Sequence, residues 1–341
     1  MLRFCDSFDH YATADITEKW TTKTSSPTIT ASGGRRSTKS LQCPSASSGV
    51  TKTLDAQATW IIGVAVKPNT FPSTGAFALL GVLDAAAAQC DVRLKADGTL
   101  QITRNGTVLG TTAFALSLGV FCYVEFKVLI SDTVGTAEVK VDGSSKLALT
   151  SQDTKSTANA TANQIYLGDP LGVSNSCSVD FDDLYVCDAA GSTNNTYLGD
   201  SRVDACLPSG NGNSSGLTGS DGNSTDNYLL VDDPSAPDDD TTYVEHATVS
   251  TKDTYAITDI THTPSSIFGV QICANAKKDD AGTRSIATVT RSGGTDTDGA
   301  TQALSTAYLF YREIVEQDPN TSAAWLKAAL NSAEFGIKVA A

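Results

Sequence analysis

Residues 178–188 read SVDFDDLYVCD, with Asp180, Asp182, Asp183 and Asp188 falling inside nine positions. Side chains of a strand alternate between two faces, so Asp182, Leu184 and Val186 share one side, and Phe181, Asp183 and Tyr185 the other. With Leu184 and Val186 packed inward, Asp182 stands at the core's edge as an acceptor for backbone N–H groups. Asp180 and Asp183 then lie nearer solvent. Three readings compete: a catalytic carboxylate pair, a metal site, or a strand with acidic flanks. The surrounding chain decides among them.

Residues 121–130, FCYVEFKVLI, alternate in the same way. Tyr123, Glu125 and Lys127 take one face, and Cys122, Val124, Phe126 and Val128 the other. TWIIGVAVK (59–67) and AFALLGVL (76–83) are short apolar runs of strand type. Asp97-Gly98, Asn105-Gly106 and Asp142-Gly143 each sit between alternating segments. Such dipeptides accept the positive φ of tight hairpin turns. This gives about ten strands in the N-terminal half, the density of an antiparallel sandwich. The expected fold is all-β: a jelly-roll sandwich over 1–205, then a smaller β-sandwich over 242–341 with one short helix. That helix is SAAWLKAALNSA, capped by Asn320 or Thr321. Between them, 206–241 is rich in Gly, Ser, Asn and Asp and reads as a linker or long loop, with Tyr228, Leu229 and Leu230 as its apolar anchor.

The net charge is −14, from 38 acidic and 24 basic residues. Such a chain repels phosphate backbones, so nucleic acid is not an expected partner. The N-terminus has no apolar signal region and no run approaches 18 apolar residues. Synthesis in a cytoplasm, without membrane insertion, is the expectation. The eight cysteines form no C-x-x-C pair, which disfavours a zinc ribbon. Cys122 and Cys187 sit in apolar strand patterns, as small core residues do.

Candidate chemistry is sparse. Asp180 and Asp182 have the spacing of a glycosidase pair. However, the Glu-x-Asp-x-x-Glu run of sandwich glycosidases is absent. Aspartates with loop carbonyls suit calcium, which makes Asp180, Asp182 and Asp183 the candidate metal ligands. Cys177 and Cys187 flank the same strand and are the candidate disulfide. GNSSG (212–216) matches a nucleophile motif but lacks the strand and helix around it. GSDGNSTDN (219–227) and GGTDTDGA (293–300) resemble calcium-loop fragments without the closing glutamate, and read as polar turns. His10, His246 and His262 show no partnered base. No P-loop or dinucleotide fingerprint occurs, and no cofactor is expected apart from calcium.

The run YVEFKVLISDTVGTAEVKVDG, with DFDDLYVCD after it, resembles the laminin-G-like, concanavalin-A-like jelly roll. LRFCDSFDHYAT, DDLYVCDAAGSTNNTYLGDSRVDACLPSGNG, KKDDAGTRSIATVTRSGGTD and DPNTSAAWLKAALNSAEFGIKVAA are similar to tailed-bacteriophage virion proteins. The resemblance implies a non-enzymatic structural or accessory virion component: a spike, collar, decoration or tail-associated protein. It also implies location in the virion, contacts with other virion proteins, and self-assembly as a trimer or higher symmetric ring. A receptor- or glycan-binding module on the particle, meeting host-surface glycan, is the alternative. A polysaccharide depolymerase using Asp180 and Asp182 is the third reading.

Overall fold

The computed structural model describes residues 1–172 and 176–341. The chain divides into two compact units, Met1–Val203 and Asp204–Ala341. It is nearly all β. Unit 1 contains β1 (Leu2–Asp6), α1 (Ile16–Lys19), β2 (Thr22–Thr24), β3 (Thr28–Thr30), β4 (Ser40–Cys43), β5 (Gly49–Gln57), β6 (Thr59–Thr70), β7 (Ala76–Asp84), β8 (Ala87–Lys95), β9 (Thr99–Arg104), β10 (Thr107–Ala115), β11 (Cys122–Leu129), β12 (Gly135–Val141), β13 (Ser144–Gln152), β14 (Ala162–Gly168) and β15 (Ser178–Asp188). They form two sheets. One runs β13-β12-β11-β6-β15-β4-β3, with β1 also paired to β15, and the other runs β10-β9-β8-β7-β14-β5-β2.

Inward-facing residues follow the alternation. Ile62, Val64 and Val66 of β6 pair with Phe126, Val124 and Cys122 of β11, and the β6 residues, Val124 and Phe126 are fully buried. Cys90, Val92, Leu94, Leu100 and Ile102 fill the same layer from the second sheet. Three hairpins use left-handed two-residue turns: Ala85 (φ 47°) with Ala86 (φ 72°), Asn105 (φ 42°) with Gly106 (φ 85°), and Asp142 (φ 48°) with Gly143 (φ 74°). The β8–β9 connection is one residue longer, and there only Gly98 is left-handed (φ 80°).

Unit 2 holds β16 (Pro208–Ser215), β17 (Thr218–Gly219), β18 (Val244–Glu245), β19 (Lys252–Ile257), β20 (Val270–Ala276), β21 (Ser285–Ser292), β22 (Thr295–Asp298), β23 (Gln302–Ala303), β24 (Leu309–Val315), β25 (Gln317–Asp318), β26 (Ala323–Ala324), α2 (Lys327–Asn331) and β27 (Glu334–Val339). Its main sheet runs β16-β19-β27-β21-β22, with β23 on β21. Three expectations change here. The stretch 206–241 is no free linker, because it supplies β16, the edge of this sheet, and β17, which pairs with β18. The helix is shorter than its pattern. Ala323–Ala324 pairs with Gln317–Asp318, and Asn320 and Thr321 serve an Asp318 turn rather than a cap. The apolar run 228–230 forms a one-turn 3-10 helix, Asn227–Leu230, with Leu230 against Gly219 and Leu229 exposed. Among the described residues, no helix is long and apolar enough to cross a membrane.

Candidate functional site

β15 carries an irregularity that the sequence pattern does not show. Asp182 pairs with Ala65 of β6 and Tyr185 with Gly63, so Asp183 and Leu184 together oppose one residue. Asp183 takes a left-handed backbone (φ 50°). This bulge switches the alternation. Asp180, Asp182 and Tyr185 therefore face outward, while Phe181 (opposite Val66) and Val186 (opposite Ile62) face the core. Asp182 does not share a face with Val186 as strict alternation requires.

Each aspartate of the cluster meets its own partner. Asp180 accepts from Lys67 at 2.8 Å and from Gln42 at 2.9 Å. Asp182 accepts the backbone N–H of Arg35 at 2.8 Å and that of Asp183 at 2.7 Å. Asp183 holds Arg35 at 3.1 Å, Arg36 at 2.7 Å and the Val203 N–H at 2.8 Å. Asp188 takes the N-terminal ammonium at 2.9 Å and Arg3 at 2.5 Å. Among the described residues, no three His, Cys, Asp or Glu side chains are placed to hold a metal ion. The three expected calcium ligands thus face cations and backbone donors rather than one another. Burial and the neighbouring Asp183 push Asp182 up to about 7, against the pull of its two N–H donors.

Cys177 and Cys187 do not form the expected pair. They lie ten positions apart along an extended segment, about 30 Å at strand rise, whereas a disulfide needs Cα atoms within about 7 Å. Neither is in a disulfide.

The outer face of the eight-stranded sheet is covered by the chain itself. Tyr123 and Tyr185 stack at 6.2 Å, and Tyr185 donates to the buried Glu125. Residues 197–203 cross above them as a strap. Tyr197 lies under Lys140 at 3.9 Å and donates to Glu138. Leu198 N–H donates to the Tyr185 hydroxyl and Gly199 N–H to Glu125. Arg35 bridges Asp200, the Ser201 carbonyl and the Tyr123 ring.

The outer face of the seven-stranded sheet is different. Arg93 and Asp91 stand two apart on β8, between core residues. The buried Asp91 accepts Arg93 Nε at 3.1 Å and Nη2 at 3.0 Å, the Tyr166 hydroxyl at 2.9 Å, and the Thr103 hydroxyl. Burial and Asp91 push the Tyr166 phenol well above its usual range, so it stays protonated at neutral pH. Gly81 is required beside them, because a Cβ there would lie 2.6 Å from Asp91 Cβ and 2.8 Å from the Tyr166 ring. Gln101 is registered beside Arg93, and Thr111 beside Gln101. Gln164 is half-buried on β14, and Leu171 packs over Tyr166 and Ala78. Sequence alternation alone does not single out this cluster. Its available signal was a carboxylate and a guanidinium in DVR, on the face opposite Cys90, Val92 and Leu94.

No protein-family model and no curated protein matches the chain. Solved structures do. An endo-β-1,4-glucuronan lyase from Trichoderma reesei is 11% identical, with a TM-score of 0.40 over 52% of this chain and 92% of the lyase. An alginate lyase is 10% identical, with a TM-score of 0.40 over 55% of this chain and 96% of its own. A Trypanosoma rangeli sialidase bound to 2,3-difluorosialic acid is 15% identical, at 0.36, over 47% of this chain and 27% of the sialidase. These neighbours are glycan-processing enzymes. The expectations of a non-enzymatic virion component, and of no enzyme, find no support among these matches and are withdrawn. Likeness at this level carries no argument about chemistry in this chain.

Proposed function

We propose that unit 1 binds a polysaccharide across the outer face of its seven-stranded sheet. The observation that carries this reading is the Asp91–Arg93–Tyr166 cluster on that face. Sugar hydroxyls demand directional donors and acceptors, and a guanidinium held by two bonds to one carboxylate is a fixed, planar donor. Gln101 and Thr111 continue from Arg93 across neighbouring strands. Strands repeat about every 4.8 Å, so these side chains form a regular series suited to a linear, repeating ligand. Asp91 itself is buried, and its role is to orient Arg93 rather than to meet sugar.

The test is calorimetric titration of the full chain with soluble polysaccharides, both neutral ones and the uronates glucuronan and alginate. Arg93→Ala and Gln101→Ala are expected to weaken binding at least tenfold while leaving the circular dichroism unchanged. A wild-type chain that binds none of them ends the reading. New reducing ends in the same samples would extend binding to turnover.

A further inference from the structure

β1 and α1 bring a polar cluster together among aromatic rings. Asp6 and Lys19 are each 1% exposed, and the Phe4, Phe8, Tyr11 and Trp20 rings are as deeply buried. Lys19 Nζ lies 3.0 Å from Asp6 Oδ1 and 2.6 Å from His10 Nε2. An ammonium has only donors to offer, so Nε2 is the acceptor and carries no proton. Burial and the Lys19 ammonium both keep this imidazole neutral. The other carboxylate oxygen, Asp6 Oδ2, accepts the Tyr11 hydroxyl at 2.8 Å and Trp20 Nε1 at 3.0 Å. The Phe8 N–H donates to Oδ1 at 2.9 Å. The carboxyl group is thereby fixed at both oxygens, with an amine at one and two side-chain donors at the other.

These are the parts of an amide-forming site. An amine stands against a carboxyl group, a base touches the amine, and two donors face the oxygen on which negative charge develops. Ions held out of water each cost several kcal/mol, and condensation removes both charges. We infer that Lys19 and Asp6 join without a second enzyme in an isopeptide bond, Lys19 Nζ to Asp6 Cγ, with release of one water. One Nζ proton first crosses to Oδ1, giving a neutral amine and a carboxylic acid. Nζ attacks Cγ, and Oδ2 takes the negative charge under Tyr11 and Trp20. His10 Nε2 takes a second proton from Nζ and delivers it to the Oδ1 hydroxyl. That oxygen leaves as water, the carbonyl re-forms at Oδ2, and His10 ends neutral as it began. The bond ties β1 to α1 in a closed ring of residues 6–19, and burial keeps His10 neutral afterwards.

Intact-mass spectrometry of the full chain, kept folded at neutral pH for several days and then denatured, tests this. The wild type should be lighter than its sequence mass by one water. Trypsin should leave residues 4–23 as one peptide, uncut after Lys19, because an acylated lysine is no longer a cleavage site. Fragmentation should place the loss in a ring closed between Asp6 and Lys19. Lys19→Arg should keep its full mass. His10→Gln keeps an acceptor for Lys19 but not a base, so the water should be lost about 100-fold more slowly, with unchanged circular dichroism. A succinimide at Asp6 loses the same mass but leaves Lys19 cleavable, and finding it overturns the inference. A wild type at full sequence mass, a Lys19→Arg chain that also loses water, or a His10→Gln chain that links at the wild-type rate would each overturn it too.

Discussion

Asp182 and Asp183 are adjacent, both buried, and solved in different ways. Asp183 is neutralised by two arginines, while Asp182 receives only backbone N–H groups. The consequence is a pH dependence whose sign follows from linkage. Asp182 sits at about 7 and Asp9, also through burial, at about 6, both above the ordinary 3.8. The folded state therefore binds more protons than the unfolded one, and these groups add stability as pH falls through 7 and 6. His10 acts oppositely. Burial and the Lys19 ammonium, 2.6 Å from its ring nitrogen, hold it at about 3. The unfolded chain protonates its histidine below about 6.5, so His10 removes stability as pH drops below that value. From these three groups, unfolding temperatures should rise from pH 8 to about 6.5, change little between about 6.5 and 6, where the Asp182 gain and the His10 loss offset each other, and rise again below about 6. In His10→Gln, which keeps an acceptor for Lys19, the level stretch should disappear and the rise below pH 6.5 should steepen. A wild-type profile that climbs steadily toward pH 8 contradicts the assignment. At this scale the sequence was half legible. The carboxylates and their strand were visible, but the bulge depends on where β6 pairs, and no local pattern encodes a register between distant strands.

Among the elements, β6 and β15 fit together at one glycine. A Cβ on Gly63 would lie 2.1 Å from the Tyr185 ring. The ring has little freedom to withdraw, being stacked on Tyr123 and bonded to Glu125. Gly63→Ala should cost about 2 kcal/mol, as overpacking of a filled layer does, and lower the unfolding temperature by several degrees. An unchanged transition would mean that the ring moves freely. The strap gives a second prediction. Glu125→Ala leaves the Tyr185 hydroxyl and the Gly199 N–H without their acceptor, each worth about 1–3 kcal/mol when buried. Limited proteolysis should then cut within 197–203 faster than in the wild type, at temperatures where unit 1 stays folded. Equal cleavage rates would show that other bonds hold the strap. Elements were the most legible scale: apolar alternation and Asn-Gly or Asp-Gly pairs locate β8 to β13, since both act through local backbone geometry. The strap was illegible because YLGDSRV has no periodicity, and its order comes from Glu125, Asp183 and Arg35, each far away in sequence.

Across the whole molecule, the all-β class followed from composition and turn spacing, but the division of the chain did not follow from composition alone. Residues 206–241 look like a flexible connector, and Gly-rich polar sequence normally warrants that reading. The structure instead builds a buried carboxylate from it. Asp253, fully buried on β19, accepts the Gly216 N–H at 2.6 Å, the Leu217 N–H at 2.8 Å and the Asn227 side-chain amide at 2.6 Å. All three donors lie in the supposed connector, and among the described residues only the Tyr255 hydroxyl, at 2.9 Å, comes from beyond it. A buried carboxylate stripped of most of its donors is strongly unfavourable. Removing 206–241 also leaves β19 without its edge partner. Two fragments separate the readings. Residues 204–341 should fold alone, with a cooperative thermal transition and dispersed amide resonances. Residues 242–341, the domain that composition suggested, should be unfolded or aggregated, and Asp253→Ala or Asp253→Asn within the shorter fragment should recover at most part of its structure, since the edge strand is still missing. A folded 242–341 fragment would return 206–241 to the status of a linker, and with it the view that polar low-complexity sequence in this chain marks a boundary rather than a strand.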